Sequence, residues 1–338
     1  MRHCKKLKKN TNPVTALILT TVISASIMSC SPSLDDTTVL KISHSHDQNH
    51  PIHKSMQYFA SFLDSISHGE MKVQIYPGAQ LGKEREALEL LQIGTLDITK
   101  VSAALMENFI QDFELFGYPY LFNDIEHFHR ALHGAFKDTL FSHVNSIKLV
   151  GLTFLDAGSR NIYTAKKPIS DVNDLNGLKL RVMQSNTMIN MAKSLGASPT
   201  PIAMAELFTA LQQGMVDGAE NNLPTFYASR HFEVCNYFHL TEHVFVPDIF
   251  VFSEYKWNKL TTAQRKLILQ AAEETAVFHE HVWAAAEKNA LENLKKEGVE
   301  IIYPDKKKLR EVSQKFYAAV TSPKLLEYVE LVKSFENN

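Results

Sequence analysis

Cysteine is almost missing from this chain, with three in 338 residues. Cys4 and Cys30 fall in the first tenth of the sequence, which leaves Cys235 alone in the rest. With Cys4 in an expected leader and Cys30 an expected acylation site, Cys235 stands alone and no internal disulfide is expected, so an apolar core must stabilise the fold unaided. Cys235, within Phe232-Glu-Val-Cys-Asn-Tyr-Phe238, reads as a small buried apolar residue with nothing nearby to make a thiolate nucleophile. Catalytic signatures are missing too: there is no nucleophile elbow, phosphate-cradling loop or zinc-protease helix. Carboxylates abound, yet no spacing singles out an acid/base pair. Repeats and low-complexity tracts are absent. After Met28 no apolar run is long enough to cross a bilayer, which takes roughly 20 residues. Surplus positive charge is lacking as well: without the first 29 residues, 30 basic side chains face 37 acidic ones, about −7. That excludes a nucleic-acid partner, which would want a basic surface, and any anion site must be a local pocket.

What is present begins with a targeting segment. Arg2, Lys5, Lys6, Lys8 and Lys9 precede an apolar stretch from Val14 to Met28 and then Ile27-Met-Ser-Cys30. A basic region followed by a short apolar run reads as a signal peptide over residues 1–29. Small or apolar residues leading to a cysteine resemble the lipoprotein cleavage site, in which Cys30 becomes the lipidated first residue and residues 30–38 a tether; the alternative is an ordinary signal peptide that happens to contain a cysteine.

Beyond the tether, strand and helix patterns alternate. Strands are expected at Val39 to Ser43, Met71 to Tyr76, Leu96 to Val101 and Lys148 to Phe154. Further strands follow at Asn161 to Thr164, Leu178 to Val182, Val216 to Glu220, Val234 to Leu240 and Ile249 to Phe252. Helical spacing covers Pro51 to Ser67, Glu84 to Ile93, a stretch around Glu126 to Phe141, Asn186 to Leu195 and Ala203 to Gln213. Repeated strand-helix-strand units imply α/β layers with mostly parallel sheets. From Thr261 to Gly298 the pattern is one helix without internal glycine or proline. At 1.5 Å per residue it would be roughly 55 Å long, enough to run across two lobes.

Two segments carry the functional reading. Gly177-Leu-Lys-Leu-Arg-Val182 places Arg181 near a strand end, where ligands bind in doubly wound sheets; alternation puts Lys179 on the same face. An arginine pinned there suits a carboxylate, because its planar fork donates two parallel hydrogen bonds. The alternative is a surface arginine. Asp217-Gly-Ala-Glu-Asn-Asn222 is either a turn or a cluster, Glu220, Asn221 and Asn222, that reads hydroxyls; Glu220 either accepts from sugar hydroxyls or orients an arginine. Gln184 adds a donor beside Arg181. Arg160, in the loop Asp156-Ala-Gly-Ser-Arg160, is either a second cation for the same carboxylate or a partner of Asp156. His44, His46, His50 and His53 match no tight zinc spacing, and a polar strand-to-helix loop with His46 or Asp47 facing a cleft is the better account. These residues describe a binder of a small organic acid, with no metal or cofactor assigned.

Several segments in order resemble a known family: Gln80-Leu-Gly82, Gly151 to Arg160, Asp174 to Val182, Leu195-Gly-Ala-Ser-Pro-Thr-Pro201 and Ala210 to Asn221. They are similar to the substrate-binding proteins of tripartite ATP-independent periplasmic (TRAP) transporters, of the dicarboxylate-binding type, from about Val39 onward. The resemblance implies a two-lobed periplasmic binding protein fold with hinge strands and one long bridging helix. The lobes would comprise residues 39–158 plus 247–287 and residues 159–246 plus 288–338. It also implies an organic acid held by Arg181, Arg160 and Asn221 with the two signature segments on opposite sides of one cleft, closure around it, delivery to membrane permease subunits driven by an ion gradient, and a monomer. Ser102, Met204 and Ser45 stand where sialic-acid-binding members carry a glutamate, an aromatic residue and an asparagine. Arg181 to Ser185, Glu220 to Asn222, Ser229 to Glu233 and Val246-Pro-Asp248 look more like hexuronate-binding members. In that reading Gln184, Glu220, Asn222, His46, Ser102 and Asp248 face the ligand's hydroxyls, and a C4-dicarboxylate or keto acid is the runner-up ligand.

Overall fold

The computed structural model describes residues 37–336 except Gly134; the signal peptide and Cys30 lie outside them. The first strands are β1 (Thr38–Ser43), β2 (Met71–Tyr76), β3 (Ile98–Ser102) and β4 (Leu149–Leu155). The chain then leaves to build a second sheet from β5 (Ser159–Thr164), β6 (Lys179–Val182), β7 (Ser198–Pro201), β8 (Gly218–Asn221) and β9 (Tyr237–Phe245). It returns for β10 (Asp248–Ser253) and crosses again for β11 (Glu300–Ile302). The first sheet has the order β2-β1-β3-β10-β4 and the second β11-β9-β5-β8-β6-β7.

The sheets are mixed with parallel pairings in the majority, in keeping with the expectation of mostly parallel sheets. Five of the nine pairings among the described residues are parallel. The antiparallel four all involve β5 or β10. Each of these two strands arrives from the other sheet and so runs against its neighbours. The short links are Asp156 to Gly158 and Val246-Pro247. Gly158 has φ +57°, and a Cβ there would sit 2.8 Å from Trp283 Nε1, so the turn depends on glycine. The strand β7, Ser-Pro-Thr-Pro, is absent from the sequence expectation because proline normally argues against a strand. It survives at the sheet edge, where missing N–H groups cost no ladder bond.

Helices α1 (Pro51–Ile66), α2 (Glu84–Gln92), α3 (Ala103–Met106), α4 (Ile125–Leu132) and α5 (Ala135–Val144) accompany the first sheet. Helices α6 (Asn186–Ser194), α7 (Met204–Gln212) and α8 (Leu223–Ala228) accompany the second, and the short α9 (Glu254–Trp257) follows β10. The expected long helix is α10 (Thr262–Lys296), 35 residues. Thr261 opens it with a capping box to Gln264, and Gly298 at φ +82° follows its end. Near its start Ile268, Ala271 and Ala272 pack with Phe59 and Phe250 under the first sheet. Near its end Ala290 and Leu294 pack with Tyr163 and Phe226 under the second. One rigid element thus enters both cores. After α11 (Lys306–Ala318), the last helix α12 (Pro323–Ser334) turns back toward the α4 region: His127 Nε2 lies 2.8 Å from Val332 O, and Lys324 pairs with Asp112 at 2.7 Å. No helix among the described residues is long and apolar enough to span a membrane.

Candidate functional site

A cavity lies where the carboxyl ends of β1, β3, β6 and β8 meet, the place a doubly wound sheet offers for ligands. About 760 Å³ of space not filled by protein atoms lies there, open solvent at the mouth included. Eight of the nine residues singled out from the sequence line it: Arg160, Arg181, Gln184, Asn221, Asn222, His46, Ser102 and Asp248.

Arg181, third residue of β6, is 3% exposed. Its Nε donates to Ile202 O at 2.8 Å. Among the described residues no carboxylate lies within ion-pair distance of it. Burial pushes its pKa down, opposed by the more distant Glu220 charge. This is a desolvated cation without its anion. Lys179, two residues earlier, is exposed.

Arg160, 5% exposed on β5, is by contrast fully engaged. Its Nε and Nη2 donate to the Glu220 carboxylate, Nη2 also to the Glu220 backbone carbonyl at 2.8 Å, and Nη1 to Asn221 Oδ1 at 3.0 Å. Asp156, its other candidate partner, instead pairs with His129 at 2.9 Å. Glu220 is the one expected ligand reader that does not line the cavity. It is fully buried, and its carboxylate is taken up by Arg160, so of its two sequence readings, orienting an arginine is the one the geometry supports. A second correction concerns sides. Arg181 is paired with Ala219 across β6 and β8, and Asn161 with Asn221 across β5 and β8. The two signature segments therefore build one wall, and the facing wall comes from the first sheet.

The remaining second-sheet residues are placed by local structure. Asn222 caps α8 through Oδ1, which accepts from Thr225 N at 2.8 Å. Asn221 Oδ1 also accepts from Asn222 N at 2.9 Å, and its Nδ2 approaches Met204 Sδ at 3.8 Å. Gln184 presents its side chain while its carbonyl accepts from Asn108 at 2.8 Å.

The first-sheet wall holds residues that pattern reading missed. Lys100, 2% exposed in β3, donates to Glu84 at 2.8 Å and Asp248 at 3.1 Å. Burial works to lower its pKa, but the two carboxylates outweigh it and raise it. The signal was available: a lysine inside Ile98-Thr-Lys-Val-Ser102, a strand buried at every position, must carry its counter-ions with it. Ser102 Oγ lies 3.4 Å from Met183 Sδ. His46 stacks on His50 with ring centroids 3.8 Å apart, and His50 Nε2 reaches Thr225 Oγ1, across from α8, at 3.0 Å. Trp283 of α10 closes the floor. Burial holds His46 and His50 well below the ordinary imidazole range, so both are neutral. His44 and His53 pair with each other at 3.0 Å. Among the described residues no three His, Cys, Asp or Glu side chains are grouped to hold a metal.

Chemically, the cavity offers one uncompensated guanidinium, several amides and hydroxyls, and no activated nucleophile. The model of the bacterial extracellular solute-binding protein family 7 matches residues 42–323. The sialic acid-binding periplasmic protein SiaP of Vibrio cholerae is 32% identical over 313 residues, covering 91% of this chain and 94% of that protein. Among solved structures, a TRAP periplasmic solute-binding protein from Xanthobacter autotrophicus with bound β-D-galacturonate superposes with TM-score 0.84 at 30% identity. It covers 87% of this chain and 99% of its own. One from Anaerococcus prevotii with bound D-glucuronate gives TM-score 0.85 at 32% identity, covering 88% and 98%.

Proposed function

This chain belongs to family 7 of the bacterial extracellular solute-binding proteins, the binding components of TRAP transporters, and from that premise we propose that its ligand is a hexuronate such as D-glucuronate or D-galacturonate. The observation that carries the proposal is Arg181, a buried cation on the cavity wall with no carboxylate of its own. A ligand carboxylate completes the ion pair and sets the ligand's register. Asn221, Gln184, Asn222, His46, Ser102 and Asp248 are assigned to the ring hydroxyls, with Glu220 acting through Arg160. The ligands named for the two solved relatives support that class.

The same reading places the chain outside the cytoplasm, anchored through lipid on Cys30, as a monomer that hands its ligand unchanged to membrane permease subunits. Two lobes, residues 39–158 plus 247–287 and residues 159–246 plus 288–338, close on the ligand about the β4–β5 and β9–β10 links. Helix α12, in the second lobe's chain, packs back on the first through His127 and Asp112.

A thermal-shift and calorimetric screen over D-glucuronate, D-galacturonate, C4-dicarboxylates, keto acids, sialic acid and zinc tests the ligand class. Uronates should raise the melting temperature, and product analysis after overnight incubation should recover them intact. The Arg181→Ala protein should lose binding by on the order of 3–5 kcal/mol, as when one partner of a buried pair is removed. Full affinity in that variant sinks the assignment.

A further inference from the structure

We propose that the first-sheet wall, where Glu84 and Asp248 share the single ammonium of Lys100, sets the ligand class: it admits an acid with one carboxylate and a hydroxylated far end, and rejects an acid with a carboxylate at each end. The inference rests on Arg181 as the clamp for the first carboxylate.

The argument is one of charge and of hydrogen-bond polarity. Lys100 Nζ lies 2.8 Å from Glu84 and 3.1 Å from Asp248, with side-chain exposures of 3%, 20% and 10%. Two carboxylates on one ammonium leave a surplus negative charge facing the cavity. On the opposite wall Arg160 is matched by Glu220, whereas among the described residues Arg181 has no carboxylate within ion-pair distance and feels Glu220 and Glu84 only at longer range. The cavity therefore carries a surplus of one sign on each wall. Burial pushes the Asp248 carboxyl up on balance, with Lys100 opposing it and the neighbouring Glu84 charge adding to it.

The other charges do not alter this balance. His46 and His50 are held neutral by burial. At the rim Lys83 is half exposed and paired with Glu206 at 2.6 Å, and Arg85 is half exposed beside Glu89 at 3.9 Å; water screens both.

A ligand that spans the walls puts its carboxylate on Arg181 and its far end at Asp248 and Glu84. A hydroxyl there donates into carboxylate oxygens with spare lone pairs. A second carboxylate can only accept; it meets like charge at Asp248 and Glu84, and like-charge juxtaposition is costly. Specificity then comes from repulsion of the wrong ligand as much as from attraction of the right one.

The test uses D-gluconate and D-glucarate, which share one six-carbon chain and differ only in a terminal hydroxymethyl or carboxylate, with D-glucuronate as a third acid. Calorimetry on the mature wild-type protein should show the tighter monocarboxylate binding at least about tenfold better than glucarate. Asp248→Asn and Glu84→Gln, each lowering the wall's negative charge, should shift the glucarate-to-monoacid ratio several-fold toward glucarate; the two variants guard against one that misfolds. Glucarate binding as tightly as the monoacids, or no shift of the ratio in either folded variant, overturns the inference and leaves the Arg181 clamp standing. Failure of all three acids to bind wild type sinks the clamp and this inference together.

Discussion

Glu220 stands behind Arg160, its fully buried carboxylate accepting from Nε and Nη2 of that guanidinium while its own backbone carbonyl accepts from Nη2 at 2.8 Å. The pairing divides the labour of the two arginines. Arg160 is neutralised and held flat against β8, with one nitrogen left to position Asn221. Arg181, also buried, has no such carboxylate within ion-pair distance among the described residues.

Glu220→Gln should cost about 3–5 kcal/mol of stability, because it leaves Arg160 buried without its counter-charge. Urea denaturation of the ligand-free protein measures this directly. An unchanged midpoint with lost ligand affinity would make Glu220 a direct reader of the ligand after all.

Arg181→Met should act in the opposite sense on the ligand-free protein. It removes a desolvated cation that no carboxylate balances, so the melting temperature without ligand should stay level or rise. Adding uronate should then give no shift, whereas the wild type at 100 times its dissociation constant gains about 2.7 kcal/mol. A lower unliganded melting temperature would argue that Arg181 is mainly structural.

Acid should destabilise this protein earlier than carboxylate titration alone would. Burial holds His44, His231 and His243 at about 3 and His239 at about 4, against an ordinary value of 6.5. Between those values the unfolded chain binds more protons than the folded one, so stability is fully present above pH 6.5 and is lost as pH falls toward 4. Each such group contributes a slope of about 1.4 kcal/mol per pH unit. Unfolding free energies that are flat from pH 7.5 to 5 would contradict the buried neutral state of these rings.

Glu287 on α10 gives the reverse dependence. Burial, with the Asp156 charge adding to it, pushes its carboxyl up from 4.5 to about 7. The folded state binds the extra proton between those values, so this stabilising contribution is complete below pH 4.5 and is lost as pH rises through 7. Glu287→Gln, which mimics the protonated form, should therefore be more stable than wild type at pH 8 and equal to it near pH 4.5. Equal melting temperatures at pH 8 would count against it.

Local chemistry made much of this molecule legible. Helix α10 was readable because its signals are sequential: Thr261 caps the start, Gly298 follows the end, and no glycine or proline interrupts. Arg181 was readable because period-two alternation at a strand end places a side chain without knowledge of its neighbours. The segments 178–182 and 216–220 appeared as strands for the same reason, within a residue or two of β6 and β8. The strand β9 runs to Phe245, five residues past its expected end, because its last part is specified by pairing with Ser159 and Arg160 in β5.

Sequence by itself thus determined the alternating α/β plan, the long helix and the strand-end arginine, all products of periodicity and capping within a few residues. Tertiary structure alone decided that the two signature segments share one wall, that Glu220 turns to Arg160 and away from the cavity, and that Lys100 gathers Glu84 and Asp248. Those last partners lie 16 and 148 residues from Lys100 along the chain. The physical reason is that burying a charge requires a counter-charge nearby in space, and which residue supplies it is fixed by sheet order and register, which no local pattern encodes.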